Sequence, residues 1–173
     1  MTDKKENILA AALDLFANEG YHAVSTSKIA KHAKVSEGLI FRHFNNKKGL
    51  LEAIMKDAEQ KVAQMLAPIL FEDDPKEVIR KVIQTPFNLL PKNYGFWKLQ
   101  YKLKWETEYN HPHKMKPLID KMQWAFAKLG AEEPEQEAIL LHNILDMVGI
   151  RLMRREWDKD SSFQAFLMRK YKV

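Results

Sequence analysis

Apolar residues recur along this chain at helical spacing. Ile8, Ala12, Leu15 and Phe16 stand four, three and one apart, which predicts an amphipathic helix over about 3–19, stopped by Gly20. Asp3, with Glu6 three residues on, forms a capping arrangement at its start. Ile29, Ala30 and Ala33 share one face of a second, short helix that begins at the hydroxyl of Ser25 or Thr26. After a turn at Lys34-Val35, Ser36 is placed to cap a third helix. In it Ile40 and Phe44 point inward and leave Glu37, Gly38, Leu39, Arg42 and His43 outside. Asn46 then caps a fourth helix, whose stripe from Leu50 and Leu51 through Ile54, Ala58 and Val62 carries it to about Leu66. Asp73-Asp74-Pro75 starts another, with Val78, Ile79, Val82 and Ile83 as its buried stripe and Pro86 bending or ending it. Further helices are expected over about 95–108, 113–129, 134–157 and 161–171. No segment has strand period, so the fold class is all-α.

Two short helices joined by a tight turn, over residues 25–44, are the pattern of a helix-turn-helix. The second helix of such a pair can enter the major groove, where bases present a donor and acceptor pattern that side chains read. The outward face here suits that use. Arg42 and His43 can donate to base edges or phosphates, Gly38 permits close backbone approach, and Leu39 can meet a thymine methyl. Lys47 and Lys48 occupy the first turn of the next helix, the end that already carries partial positive charge. That placement fits either a phosphate held between lysine and free amides, or a merely solvated pair.

Charge changes this picture little but in the same direction. The chain of 173 residues has 28 basic and 23 acidic side chains, and eight of the basic against five of the acidic fall in the first 50. The positive excess is densest at the amino end, consistent with a phosphate-binding surface. The chain has no cysteine, which removes disulfides and cysteine-based zinc sites from consideration. Neither an apolar signal core nor an uninterrupted apolar run long enough for a membrane span is visible, and a soluble protein with no membrane partner is expected.

Taken together, Ile8 to Phe16 with Gly20-Tyr21, Ile29-Ala30 with Val35-Ser36, the run Gly38-Leu39-Ile40-Phe41-Arg42-His43-Phe44, and Lys47 with Leu50-Leu51 resemble the TetR family of bacterial transcriptional regulators. The resemblance covers the first 60 or so residues. It implies a three-helix DNA-binding domain at 1–48 and a helical effector-binding and dimerisation domain at 49–173, in a cytoplasmic protein. It implies phosphate contacts at Thr26 and Ser27, groove reading by Ser36, Glu37, Gly38, Leu39, Arg42 and His43, and a phosphate contact at Lys47. Three residues depart from the family pattern: Lys34 replaces a usual glycine, Leu39 a common threonine, and Phe41, on the DNA-binding helix, a tyrosine whose hydroxyl it cannot supply.

The helix from Pro134 is apolar on more than one face and therefore needs two partners. One side is expected to pack within the subunit, and the other on a second copy through Leu145, Val148 and Leu152 with Phe163, Phe166 and Leu167; the resemblance implies a homodimer of this kind. Such a dimer would present two recognition helices about 34 to 36 Å apart to a palindromic site in double-stranded DNA. Trp97, Tyr101 and Trp105 fall four apart on one face, and Met122 and Phe126, with Trp124 nearby, on another. Such stripes either fill a core or line an apolar pocket for a small hydrophobic or aromatic effector. His142 and Asp146, four apart, read as hydrogen-bonded core groups rather than metal ligands. Nucleotide-binding, zinc-protease and nucleophile motifs do not occur, so an enzyme, a cofactor and a metal are not expected. The expected function is a ligand-responsive repressor; a DNA-bound protein that recruits a protein partner is the alternative.

Overall fold

The computed structural model describes residues 4–89, 91–103, 115–157 and 161–173. Among these every regular element is helical: α1 (Lys4–Glu19), α2 (Thr26–His32), α3 (Glu37–Phe44), α4 (Lys47–Leu70), α5 (Pro75–Gln84), a 3-10 turn at Pro91–Asn93, α6 (Tyr94–Leu103), α7 (Lys116–Lys128), α8 (Pro134–Met153) and α9 (Ser161–Tyr171). The all-α architecture expected from periodicity is the one observed. Asp3 and Trp105 lie outside the described residues.

The helix boundaries follow identifiable local chemistry. Ser25 starts α2, its hydroxyl accepting from Lys28 N at 3.2 Å. The end of α2 is a Schellman motif: Val35 N donates to Ala30 O at 3.0 Å and Lys34 N to Lys31 O at 3.3 Å. Lys34 accordingly sits at φ 55, the left-handed position where glycine is at home. Asn46 starts α4, its side-chain oxygen accepting from Gly49 N at 2.8 Å, and Asp74 starts α5 by accepting from Lys76 N and Glu77 N.

Three expectations need correction. Ser36 makes no side-chain cap; only its carbonyl participates, accepting from Leu39 N at 3.1 Å. Helix α4 runs past Leu66 to Leu70 with Pro68 inside its last turn. Helix α8 stops at Met153 rather than Trp157, because Arg155 turns to φ 57 and Glu156 N closes the end onto Arg151 O.

The chain forms two compact units, one drawn from Met1–Ala63 and Lys92–Asn110, the other from Gln64–Pro91 and His111–Val173. The unit that contains the helix-turn-helix is thus larger than the 1–48 segment delimited from sequence. In it α1 packs on α2 and α6, and α2 on α3. Ile8, Phe16, Ile29, Ile40, Leu50 and Leu51 share one core with Leu99 and Leu103 of α6. Three short helices bury too little apolar surface to be stable alone, and α4 and α6 complete their core. Lys102 reinforces the join by donating to Asn18 O at 2.9 Å, at the carbonyl-rich end of α1. In the second unit α7 packs on α5 and α8, and α5 on α9. Its buried side chains include Val78, Ile79, Ile83, Met122, Phe126 and Leu141.

Candidate DNA-binding surface

Helix α3 turns one face to the core and one to solvent. Ile40 and Phe44 are buried. At 100° per residue Gly38 and Arg42 fall opposite them, with Phe41 on one flank and His43 on the other. All four are exposed. The Arg42 side chain makes no hydrogen bond or ion pair among the described residues, so its guanidinium fork is free to bind an acceptor. Nothing lies within 4 Å of where a Cβ of Gly38 would stand, which leaves the backbone there open to close approach. Phe41 is 44% exposed, the one large apolar side chain so placed among the described residues of this unit.

Not every residue expected on this surface is free. Leu39 is half-buried and packs against the core of the unit. Thr26 Oγ1 donates to Glu37 Oε1 at 2.6 Å, joining the starts of α2 and α3. Both side chains are therefore engaged with each other, and neither the phosphate role expected of Thr26 nor the base role of Glu37 is visible in this arrangement. Ser27 is exposed, its hydroxyl 3.0 Å from that of Ser25, and Ser36 is exposed at the start of α3.

Lys47 departs furthest from expectation. Its ammonium donates to Tyr21 O at 2.9 Å and Val24 O at 3.0 Å, reaches His22 O at 3.5 Å, and lies 4.4 Å from the centroid of the Tyr21 ring. A lysine carries three donors, and all three directions are taken by the protein. No spacing rule in the sequence marks this clamp or the Thr26–Glu37 latch, because each joins residues 11 or more positions apart through side-chain reach.

Outside this surface the expected residues separate. Trp97 and Tyr101 are half-buried on α6, in the first unit, whereas Met122, Trp124 and Phe126 belong to α7, in the second. Met122 and Phe126 are core residues there, with the Phe126 ring 5.5 Å from that of Tyr171, and Trp124 is covered by the Lys121 ammonium at 4.1 Å. Among the residues expected at a subunit interface, Leu145, Val148, Leu152 and Leu167 are buried within their own unit. Phe163 is half-buried against the cluster of Phe87, Val148 and Leu152, and Phe166 alone is exposed, at 49%. The stripe of α8 that does face solvent carries Leu140 at 48% and Met147 at 52%, seven residues apart, with Ile139 beside them. Helix α8 thus carries apolar residues on both a buried and an exposed face, and periodicity alone does not tell which is which. His142 Nε2 stands 4.0 Å from Asp146 Oδ2, and among the described residues no third metal-binding side chain joins them.

A helix-turn-helix with an unencumbered arginine side chain and an open glycine on its outer face is a surface suited to the major groove of DNA. Residues 8–54 match the family of bacterial regulatory proteins, tetR family, and the chain carries the helix-turn-helix domain of that family. It is 47% identical over 55 residues to the uncharacterized HTH-type transcriptional regulator YvkB of Bacillus subtilis, over 32% of this chain and 29% of that one. It is 36% identical over 93 residues to the fatty acid metabolism regulator protein of the same organism, over 53% of this chain and 48% of that one. The chain thus spans less than half the length of these curated relatives. A TetR-like transcriptional regulator from Rhodococcus sp. RHA1 superimposes with a TM-score of 0.84 over 96% of this chain and 92% of its own, at 20% identity. The regulator FadR from Bacillus subtilis, in complex with stearoyl-CoA, does so with a TM-score of 0.72 over 96% of each chain, at 21% identity. The described residues share the fold of these structures. Among the described residues no helix is long and apolar enough to cross a membrane.

Proposed function

We propose that this protein is a transcriptional repressor that binds a palindromic operator as a homodimer and releases it when a small hydrophobic or aromatic molecule binds the second unit. The observation that carries the reading is the outer face of α3, where Gly38 and Arg42 stand opposite the buried Ile40 and Phe44, exposed and open. A free guanidinium fork beside an open stretch of backbone is suited to base edges in the major groove, bidentate recognition of guanine above all. Dimerisation is supported by the apolar stripe of Leu140 and Met147 on α8 with Phe166 on α9, which a second copy would cover. The stearoyl-CoA held by the neighbouring FadR structure supports an effector with a long apolar chain. Operator and effector then oppose each other by an equal factor, since each favours its own arrangement of the protein.

The test is selection of bound fragments from source genomic DNA by the purified protein at near-physiological salt, followed by sequencing. Enrichment of one short palindrome, released on titrating fatty acyl-CoA, supports the reading. A protein that retains fragments without sequence preference overturns the regulator assignment. An enriched palindrome that no acyl-CoA or aromatic acid releases overturns the effector half of it.

A further inference from the structure

Resting on the DNA-binding reading above, we propose that Lys34 is a further DNA-contacting residue: its ammonium meets a backbone phosphate at the rim of the groove that α3 enters, and so strengthens binding to any sequence. Lys34 stands at φ 55, in the left-handed region that a residue with a Cβ adopts only at a cost. Glycine would hold the same Schellman turn without that cost. Strain of this kind gathers at sites where a side chain has a use. Ending the helix gives the Lys34 side chain none, because Val35 N and Lys34 N close α2 through the backbone alone. Nor is the charge needed to complement the end of α2, whose last turn already has Lys31 and His32.

The turn directs the side chain outward. Ala33 is buried and Val35 packs against the core of the unit, so Lys34 between them is the residue turned to solvent. Its side chain makes no hydrogen bond or ion pair among the described residues. Two other basic side chains of α2 are engaged across to α1: Lys28 pairs with Glu19, and His32 stands 3.6 Å from Asp14. Only Val35 and the exposed Ser36 separate Lys34 from α3, which places it at the same end of that helix as the open backbone of Gly38. In helix-turn-helix complexes this amino-terminal end is the part of the recognition helix that meets the bases. A residue just ahead of it faces the phosphates that flank the groove. Lysine suits them, as a mobile point charge on a flexible stem that adds affinity and carries no sequence information.

The experiment compares Lys34→Gly, Lys34→Asn and Lys34→Arg with the parent in the full chain, measuring affinity for the selected operator and for a scrambled duplex across a salt series, with melting temperature alongside. Glycine and asparagine both accept the left-handed conformation and remove the ammonium, whereas arginine keeps a cation there. Lys128→Gln, at an exposed position of α7, removes the same charge from the other unit and serves as the net-charge control. Lys34→Gly and Lys34→Asn are expected to lose about two- to fivefold in affinity per recognition helix on both duplexes, so that the ratio of the two holds. The slope of log K against log salt should become shallower by about 0.9 per recognition helix, and Lys34→Arg and Lys128→Gln should keep the parental slope. Lys34→Gly should at the same time melt about 2–8 °C higher. A more stable protein that binds all DNA less well is a combination that a merely structural lysine does not give. If Lys34→Gly melts higher but keeps parental affinity and slope, the lysine is only tolerated in the turn and the proposal fails. It fails too if the ratio falls while the slope stands, since Lys34 then acts on the placing of α3, or if Lys128→Gln lowers the slope as much, since net charge then accounts for the effect. A parent that prefers no sequence refutes the regulator reading itself, while the slope of Lys34→Gly on the scrambled duplex still decides the phosphate contact.

Discussion

Two glycines, one in each of two successive helices, should respond to the same substitution in opposite ways. Replacing glycine by alanine within a helix ordinarily stabilises by about 0.5–1 kcal/mol, because it removes backbone freedom from the unfolded chain. At Gly38 of α3 nothing lies within 4 Å of the new methyl, so Gly38→Ala should realise that gain. At Gly49 of α4 the methyl would fall well inside 3.0 Å of Phe44 O and 3.3 Å from its carbonyl carbon. That carbonyl has little room to move: the Phe44 ring is buried, Asn45 N is bonded to Phe41 O at 2.9 Å, and Asn46 N is bonded to Phe44 O at 2.7 Å. Overpacking costs about 1–3 kcal/mol, and loss of the Asn46–Phe44 hydrogen bond adds about 1 kcal/mol. These outweigh the helix gain, and Gly49→Ala should lose about 1–3 kcal/mol. For a unit of this size each kcal/mol moves the midpoint by roughly 4–8 °C, so thermal unfolding followed by circular dichroism resolves both signs. A Gly49→Ala protein that melts at or above the parent refutes the tight α3–α4 turn. A Gly38→Ala protein that is more stable yet binds its operator as the parent does refutes the assignment of this face to the groove.

Arg42→Ala should cost about 1–3 kcal/mol of operator affinity and relax selectivity at one base pair, read by equilibrium binding to operators substituted one position at a time; unchanged selectivity removes Arg42 from the reading face. Leu140→Asp combined with Met147→Asp should leave helix content unchanged and yield monomers in sedimentation, since interface anchors are worth about 2 kcal/mol or more each; surviving dimers would move the interface elsewhere. Burial first, and then the Glu137 carboxylate nearby, push the Tyr171 hydroxyl up to about 12. Its proton is thus held more tightly in the folded chain than in the unfolded one, where it leaves near 10, and this contribution to stability is full below pH 10 and lost as the pH rises to about 12. Tyr171→Phe should therefore show a shallower fall in urea midpoint between those values; parallel curves for the two proteins would deny the linkage.

Much of this molecule follows from local rules. The spacing of Ile8, Ile29, Ile40 and Phe44 with their neighbours is enough to place α1, α2 and α3 and to decide which face of α3 turns outward, since a helix of known period has only one way to bury an apolar stripe. Asn46 and Asp74 announce the helices they start, because a side chain that caps its own helix acts within three residues. The turn at Lys34 is legible too, although it is the family resemblance that marks the position as one that usually holds glycine, and its φ of 55 is that turn's geometry.

What remained for the tertiary structure depends on reach across the chain. The apolar stripes of α8 are equivalent in sequence; packing within the second unit, with Phe87 and Phe163 against Val148 and Leu152, made Leu145, Val148 and Leu152 core and left Leu140 and Met147 exposed. The aromatic residues of α6 and α7 share a composition but not a unit, because α6 completes the core of the helix-turn-helix through Leu99 and Leu103. Lys47 carries a charge that sequence can count, but whether that charge meets a phosphate or a ring of carbonyls is decided by where Tyr21, His22 and Val24 come to lie. Periodicity determines each helix by itself; which side chains are already engaged, and which are free to bind, is determined only when the helices meet.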